Sequence, residues 1–239
     1  MIYISWPNFN IDNIDLNWPG WPLSSDPFGN EFDIDGRKRM IIGSRKMMIL
    51  LKKYENRIWK FVLEIWPFFN PLITNSNLPN STIVYRENDP YVLKTISKKN
   101  AYAMYCDLKY INWDFITKLK KETNDIFESY WLTNHLFDSI VISQVFNYID
   151  YKFLLFLLKA FIKPKWLIFV NNVTDYWLPF FFSDKKPKNI KEILNTLNVW
   201  WYKVIDKQIL KSDFPEFQKN DRLILVAENE SFSSYSRDN

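Results

Sequence analysis

The stretch that most constrains the fold is Lys165-Trp-Leu-Ile-Phe-Val170, followed after a loop by Asn189-Ile-Lys-Glu-Ile-Leu-Asn-Thr-Leu-Asn198 and then by Val199-Trp-Trp-Tyr-Lys-Val-Ile-Asp206. An apolar run of strand length, a helix-period segment and a second β-rich run make a βαβ pattern. Both runs are apolar nearly throughout, which suits parallel strands covered on both faces. The pattern predicts a right-handed crossover with helix 189–198 packed on one face of the sheet.

A chain of 239 residues can bury the core of one α/β domain with appendages. With 47% hydrophobic and 24% charged residues it is globular in composition. The net charge of +4 is only mildly basic, so any argument from charge depends on where the charge sits. One cysteine, Cys106, and one histidine, His135, exclude an intramolecular disulfide and a zinc site of the Cys/His type within the chain. Nothing around His135 reads as a nucleophile elbow. Glycine is confined to Gly20, Gly29, Gly36 and Gly43. Dinucleotide and P-loop motifs need glycine where backbone approaches phosphate, so neither exists here, and no cofactor or metal is expected.

The order of further elements supports a doubly wound sheet. Ser44 is a good N-cap for a predicted helix to about Trp66, with Met47, Leu51, Tyr54, Ile58, Phe61 and Ile65 on one stripe. Ser81–Arg86 and Ala101–Leu108 read as strands flanking a short helix opened by Pro90. Helices are predicted over Trp113–Glu128, His135–Ile149 and Asp150–Ile162. The organisation expected is an extended N-terminal arm over 1–35, an α/β domain over 36–226 (a doubly wound parallel sheet with an inserted helical hairpin at about 113–162) and a flexible tail over 227–239. In the arm, Trp6, Trp18 and Trp21 each precede a proline; the extended backbone and aromatic anchors suit a segment laid on a partner or on its own domain.

The densest basic cluster comprises Arg37, Lys38, Arg39, Arg45, Lys46, Lys53, Arg57 and Lys60, with Lys118, Lys120 and Lys121 on the predicted hairpin. Such a cluster suits RNA phosphates, or is a solvated helix face. Phe153–Val170 is interrupted by Lys159, Lys163, Pro164 and Lys165, so a buried helix followed by a strand is expected rather than a membrane span. The skew towards Phe, Tyr, Ile, Asn and Lys points to an AT-rich coding source, and the 11 Trp to a code with an extra tryptophan codon, as in many mitochondria. The N-terminus has neither a secretory signal nor an imported-precursor pattern.

In order and spacing these pieces resemble the small-subunit ribosomal protein S-two family, in a divergent, mitochondrial form. Gly36, Arg37, Ile41, Ile42 and Lys46 follow the family's early G-x-R-N-x-x-x-I-I pattern with the Arg offset, and Thr82-Ile-Val-Tyr-Arg86 sits where a strand ends. Two placements compete for its L-T-N-W motif: Leu132-Thr133-Asn134 by letters and Asn112-Trp113 by spacing. Lys163-Pro164-Lys165 with Asn171, then Ile190, Glu192, Leu197, Val199 and Asp206, then Pro215, Asn220 and Asp221, follow the later motifs. The resemblance implies a structural constituent of the mitochondrial small ribosomal subunit with no active site. It would bind small-subunit rRNA and neighbouring ribosomal proteins, take no small-molecule substrate and insert in no membrane. Two alternatives remain: an accessory subunit of an organellar respiratory or ATP synthase complex held by the Trp-Pro arm, and a carboxylate nuclease using Asp206, Asp213 and Asp221.

Overall fold

A computed structural model describes residues 2–6, 45–58, 61–65, 72, 82–87, 101–106, 137–143, 145–147, 149–159, 161–174, 185–211 and 221–230, with backbone alone for 2–6, 82–87 and 101–106. The elements are β1 (Ile2–Trp6), helical residues 45–53 (α1), β2 (Phe61–Ile65), β3 (Thr82–Glu87), β4 (Ala101–Cys106), β5 (Phe137–Ser143), α2 (Tyr151–Leu158), β6 (Ile162–Val173), α3 (Ile190–Val199), β7 (Tyr202–Leu210) and β8 (Arg222–Asn229). They build one eight-stranded sheet in the order β1-β4-β3-β2-β5-β6-β8-β7. All ladders from β1 to β6 are parallel, and β8 runs antiparallel to both β6 and β7.

Alternation along each strand decides what covers it. Leu63, Ile140, Ile142, Ile168, Val170, Leu223 and Leu225 face a core shared with Tyr151, Leu154 and Leu155 of α2 and Ile193 and Leu197 of α3. Val62, Val141, Leu167, Phe169, Ile224 and Val226 face the other core, where α1 contributes Met47, Leu50 and Leu51. Helices therefore lie on both faces, which is why these strands read as continuous apolar runs.

The doubly wound α/β expectation holds at that level, but the sheet is mixed rather than wholly parallel. β6, α3 and β7 form where the sequence places them, yet β6 and β7 are not neighbours, because β8 lies between them. Its last residues, Ala227 to Asn229, pair with β6 and β7 instead of starting a flexible tail. The predicted helix from Ser44 ends early: a 3-10 turn at Glu55–Arg57 follows, and Phe61–Ile65 is strand. Its stripe continued because a buried strand is apolar at nearly every position, here all but Glu64, and so satisfies a helical spacing as well. The same ambiguity explains His135–Ile149, predicted helical within the inserted hairpin, where Phe137–Ser143 is the central strand β5. The expected arm begins as a sheet strand, β1, parallel to β4. The short helix after Pro90 and the helix over 113–128 lie outside the described residues.

The turn from α3 to β7 is held by one lysine. Trp201 adopts φ of 51°, and its carbonyl accepts from the Glu230 backbone at 2.9 Å and from Lys159 Nζ at 2.9 Å. Lys159 also donates to Glu230 O at 3.0 Å and to Asn229 Oδ1, with its ammonium 4.5 Å from the centre of the Tyr202 ring. Burial pulls its pKa from 10.5 down to about 8, only partly opposed by Glu230. Between those two values the unfolded chain binds more protons than the folded one, so stability rises with pH across that window. Burial pushes the Tyr202, Tyr151 and Tyr54 phenols up, which opposes the rise near pH 10. In urea titrations, the difference between wild type and Lys159→Met is therefore expected to slope upward from about pH 8 to 10; a flat difference would refute this assignment.

Candidate active site

The strand order reverses at β2. The chain leaves it for β3 and β4 on one side and returns to β5 on the other. In open α/β sheets, ligands bind outside the carboxyl ends of the strands at such a switch point. The edge there carries, in order, Trp6, Cys106, Glu87, Ile65, Ser143, Asn171 to Thr174 and Arg222.

Two tethers shape the crevice. On β2, buried Glu64 accepts a hydrogen bond from the Leu72 backbone N–H at 2.6 Å, so residue 72 is folded back over the strand end. On the other side, Asn172 Oδ1 accepts from the Phe146 backbone N–H at 3.2 Å, and Asn147 Nδ2 donates to Val173 O at 2.8 Å. These bonds fix residues 145–147, which leave the carboxyl end of β5, against the end of β6. Asn suits this place because its side chain satisfies backbone groups that a terminated strand leaves open. The buried Asn147 Oδ1 has no protein partner. Beneath the loop, Arg222 donates to Asn171 Oδ1 at 3.0 Å and Asn171 donates to Ser143 Oγ at 3.1 Å. Sequence reading missed Glu64, Asn147, Asn172 and Arg222; the visible signal was polar side chains within or bordering apolar runs.

The basic residues singled out from sequence are placed elsewhere. Arg45 and Lys46 are exposed on α1. Lys53 donates to Asp206 Oδ2 at 2.6 Å, which pushes the lysine pKa up. Arg57 donates to Glu228 Oε2 at 2.6 Å and to Lys165 O at 3.0 Å. Lys53 and Arg57 are thus matched by acids of their own chain. Arg37, Lys38, Arg39, Lys60, Lys118, Lys120, Lys121, Trp18 and Trp21 lie outside the described residues, whereas Trp6 ends β1 beside Cys106. Of the three acids of the nuclease alternative, Asp213 lies outside the described residues; Asp206 sits inside β7 opposite Val226, while Asp221 precedes β8 and pairs with Lys211 at 3.3 Å, so the structure does not gather these two as a nuclease centre would need. Among the described residues no three His, Cys, Asp or Glu side chains cluster as a metal site, and no helix is long and apolar enough to cross a membrane.

No family model and no curated protein sequence matches the chain. Solved structures do. Magnesium protoporphyrin IX methyltransferase ChlM from Synechocystis PCC 6803 with bound SAM matches at TM-score 0.58 and 10% identity, covering 93% of this chain and 99% of that one. The N-methyltransferase NodS from Bradyrhizobium japonicum WM9, in complex with S-adenosyl-L-homocysteine, matches at TM-score 0.53 and 13% identity, covering 87% of this chain and 95% of that one. The [4+2]-cyclase SpnF matches at TM-score 0.59 and 10% identity, covering 78% of this chain and 80% of that one. At such identities the likeness is one of fold: the chain has the Rossmann-like fold of SAM-dependent methyltransferases.

This overturns the resemblance to the ribosomal S-two family, and with it the expected structural role on small-subunit rRNA and neighbouring ribosomal proteins. The alternative of a respiratory or ATP synthase accessory subunit is corrected on the same ground. The expectations of no enzyme and no small-molecule substrate are corrected too, since the three structures named above are of enzymes, two of them holding SAM or S-adenosyl-L-homocysteine. The ribosomal resemblance arose from an order of strands and helices that any doubly wound chain shares; it carried no residue that distinguishes one such fold from another.

Proposed function

We propose that the chain is a methyl-transfer enzyme whose donor, S-adenosylmethionine, lies across the carboxyl ends of β2 and β3, with a small-molecule acceptor beside residues 145–147. The observation that carries this reading is the strand order switching at β2, with β8 alone reversed, over a crevice whose two sides are tethered by Glu64 and by Asn147 with Asn172. Glu87 is the last residue of β3, directly beside the switch strand, and an acid about 20 residues beyond the first strand is where an α/β nucleotide site holds ribose hydroxyls. The stretch from Trp66 to Pro71 has no glycine, so Glu87 is the residue on which the cofactor's affinity is tested.

Bound, the cofactor supplies a methyl carbon on a sulfonium sulfur. The chain supplies position: Glu87 ends β3 where the ribose is expected, Glu64 holds the chain at Leu72 over the crevice, and the tethered residues 145–147 border the place of the acceptor. Orientation of this kind accounts for a large part of the barrier lowering in bimolecular transfers.

Calorimetric titration tests the reading. Saturable binding of S-adenosylmethionine and S-adenosyl-L-homocysteine is expected, weakened at least about tenfold in Glu87→Ala. No saturable heat from either at about 1 mM would sink it. The absence of glycine from residues 66–71 would then favour a second reading, non-methylating chemistry on the same fold.

A further inference from the structure

Beside residues 145–147, α2 and α3 border a second groove, of about 690 Å3, lined by residues other than those of the crevice. That volume lies within the range of about 300–1,000 Å3 usual for small-molecule pockets. Its floor is aromatic: Phe153 and Phe156 have centroids 6.3 Å apart, and Phe156 and Trp200 4.8 Å apart. Phe153 is 37% exposed, a large ring left open beside a filled core.

The rim is cationic. Lys152, Lys185, Lys186 and Lys188 border the groove against two carboxylates, Asp150 and Glu192. Both acids are engaged within the chain. Asp150 caps α2 by accepting from the Phe153 N–H at 3.1 Å and pairs with Lys185 at 2.9 Å. Burial pushes the Asp150 carboxyl up, but Lys185 and the Phe153 and Lys152 N–H groups outweigh it and hold it below its ordinary value, so it stays ionised at neutral pH. Glu192 accepts from the Lys188 N–H at 2.9 Å, while Asn189 caps α3 by accepting from Glu192 N at 3.0 Å. Four lysines against two carboxylates leave the rim formally positive, over an apolar floor of rings tilted by 33° and 46° to one another.

We infer that this groove is a second ligand site, separate from the carboxyl-edge crevice, for a planar aromatic anion such as an aromatic carboxylate. The ring lies against Phe153, Phe156 and Trp200, and the carboxylate meets Lys152 and Lys188. Rings of this kind gain from offset or tilted contact as well as area, and charge-assisted bonds fix the anionic end. An acidic peptide would use the lysines but has no flat ring for the floor; a neutral arene would use the floor alone.

The test is calorimetric titration of the full chain with 1-naphthoate, repeated with neutral 1-naphthalenemethanol and with a poly-glutamate peptide. Saturable naphthoate binding is expected, about tenfold or more tighter than the alcohol. It should fall about tenfold in Lys152→Glu/Lys188→Glu and in Phe153→Ala, both at exposed positions that leave the core intact. Unchanged melting temperatures would confirm intact folds. Equal affinity for the alcohol, tighter binding of poly-glutamate, indifference to both variants, or no saturation at about 1 mM would each overturn the inference. Excess S-adenosylmethionine should not displace naphthoate; displacement would place the anion in the carboxyl-edge crevice and overturn it as well. None of the groove-lining residues belongs to that crevice, so failure here leaves the methyl-transfer reading untouched.

Discussion

Replacing Phe169 by alanine is expected to cost about 3–5 kcal/mol of unfolding free energy, the range for deleting a buried phenylalanine. Phe169 is fully buried on β6, between β5 and β8, where its backbone pairs with Val141 and Val226. Its ring faces the core shared with Met47, Leu50 and Leu51 of α1, and Tyr54 meets it edge-on with centroids 6.4 Å apart. The backbone on either side is held in ladders, so the strand cannot collapse into the space left behind, and the cavity term adds to the lost transfer energy. Urea denaturation followed by circular dichroism measures the cost. Ile209→Ala, on the 45% exposed face of edge strand β7, is the contrast and should lie within about 0.5 kcal/mol of wild type. A small loss at Phe169 would mean that α1 does not cover this face as described.

What the sequence makes legible follows from the range of the physics behind each feature. The helix over 190–199 is local: Asn189 caps it, Glu192 closes the first turn, and Ile193 and Leu197 recur on one face. Asp150 capping α2 is equally local. The strands at 82–87 and 101–106 are bounded by polar residues and carry β-formers, so they stand out too. Pairing partners are a different matter. Arg222-Leu-Ile-Leu-Val-Ala is as apolar as β6, but nothing within it says that it runs antiparallel between β6 and β7. That insertion, rather than any element boundary, separates this fold from the wholly parallel sheet that the βαβ pattern suggested.

The candidate site was legible only in pieces. Glu64 reads as one polar position in an apolar run, and its use appears only when Leu72 is found at its carboxylate. Asn147, Asn172 and Arg222 come from three separate segments that meet at one edge. The lysines and arginines of 45–57 drew attention through density alone, and density does not reveal that Asp206 and Glu228 are waiting across 153 and 171 residues of sequence. Charge counts ignore partners far along the chain; a surface can be rich in cations and still be internally matched.

Glu64 offers the sharpest link between stability and the proposed chemistry. It is 1% exposed, on the same side of β2 as Val62, and its carboxylate accepts the Leu72 N–H. Glu64→Ala removes a hydrogen bond to a charged group and leaves a buried backbone donor with no acceptor there, a loss of about 2–3 kcal/mol. Glu64→Gln keeps a carbonyl oxygen at nearly the same place and should recover more than half of that loss. The functional readout must move in parallel. If the tether at Leu72 shapes the crevice, the upward shift in melting temperature caused by saturating S-adenosyl-L-homocysteine should disappear in Glu64→Ala and persist in Glu64→Gln, since a ligand stabilises only the state it binds. An equal ligand-induced shift in the alanine variant, despite its lower stability, would make Glu64 a purely structural anchor and remove β2's side of the crevice from cofactor binding.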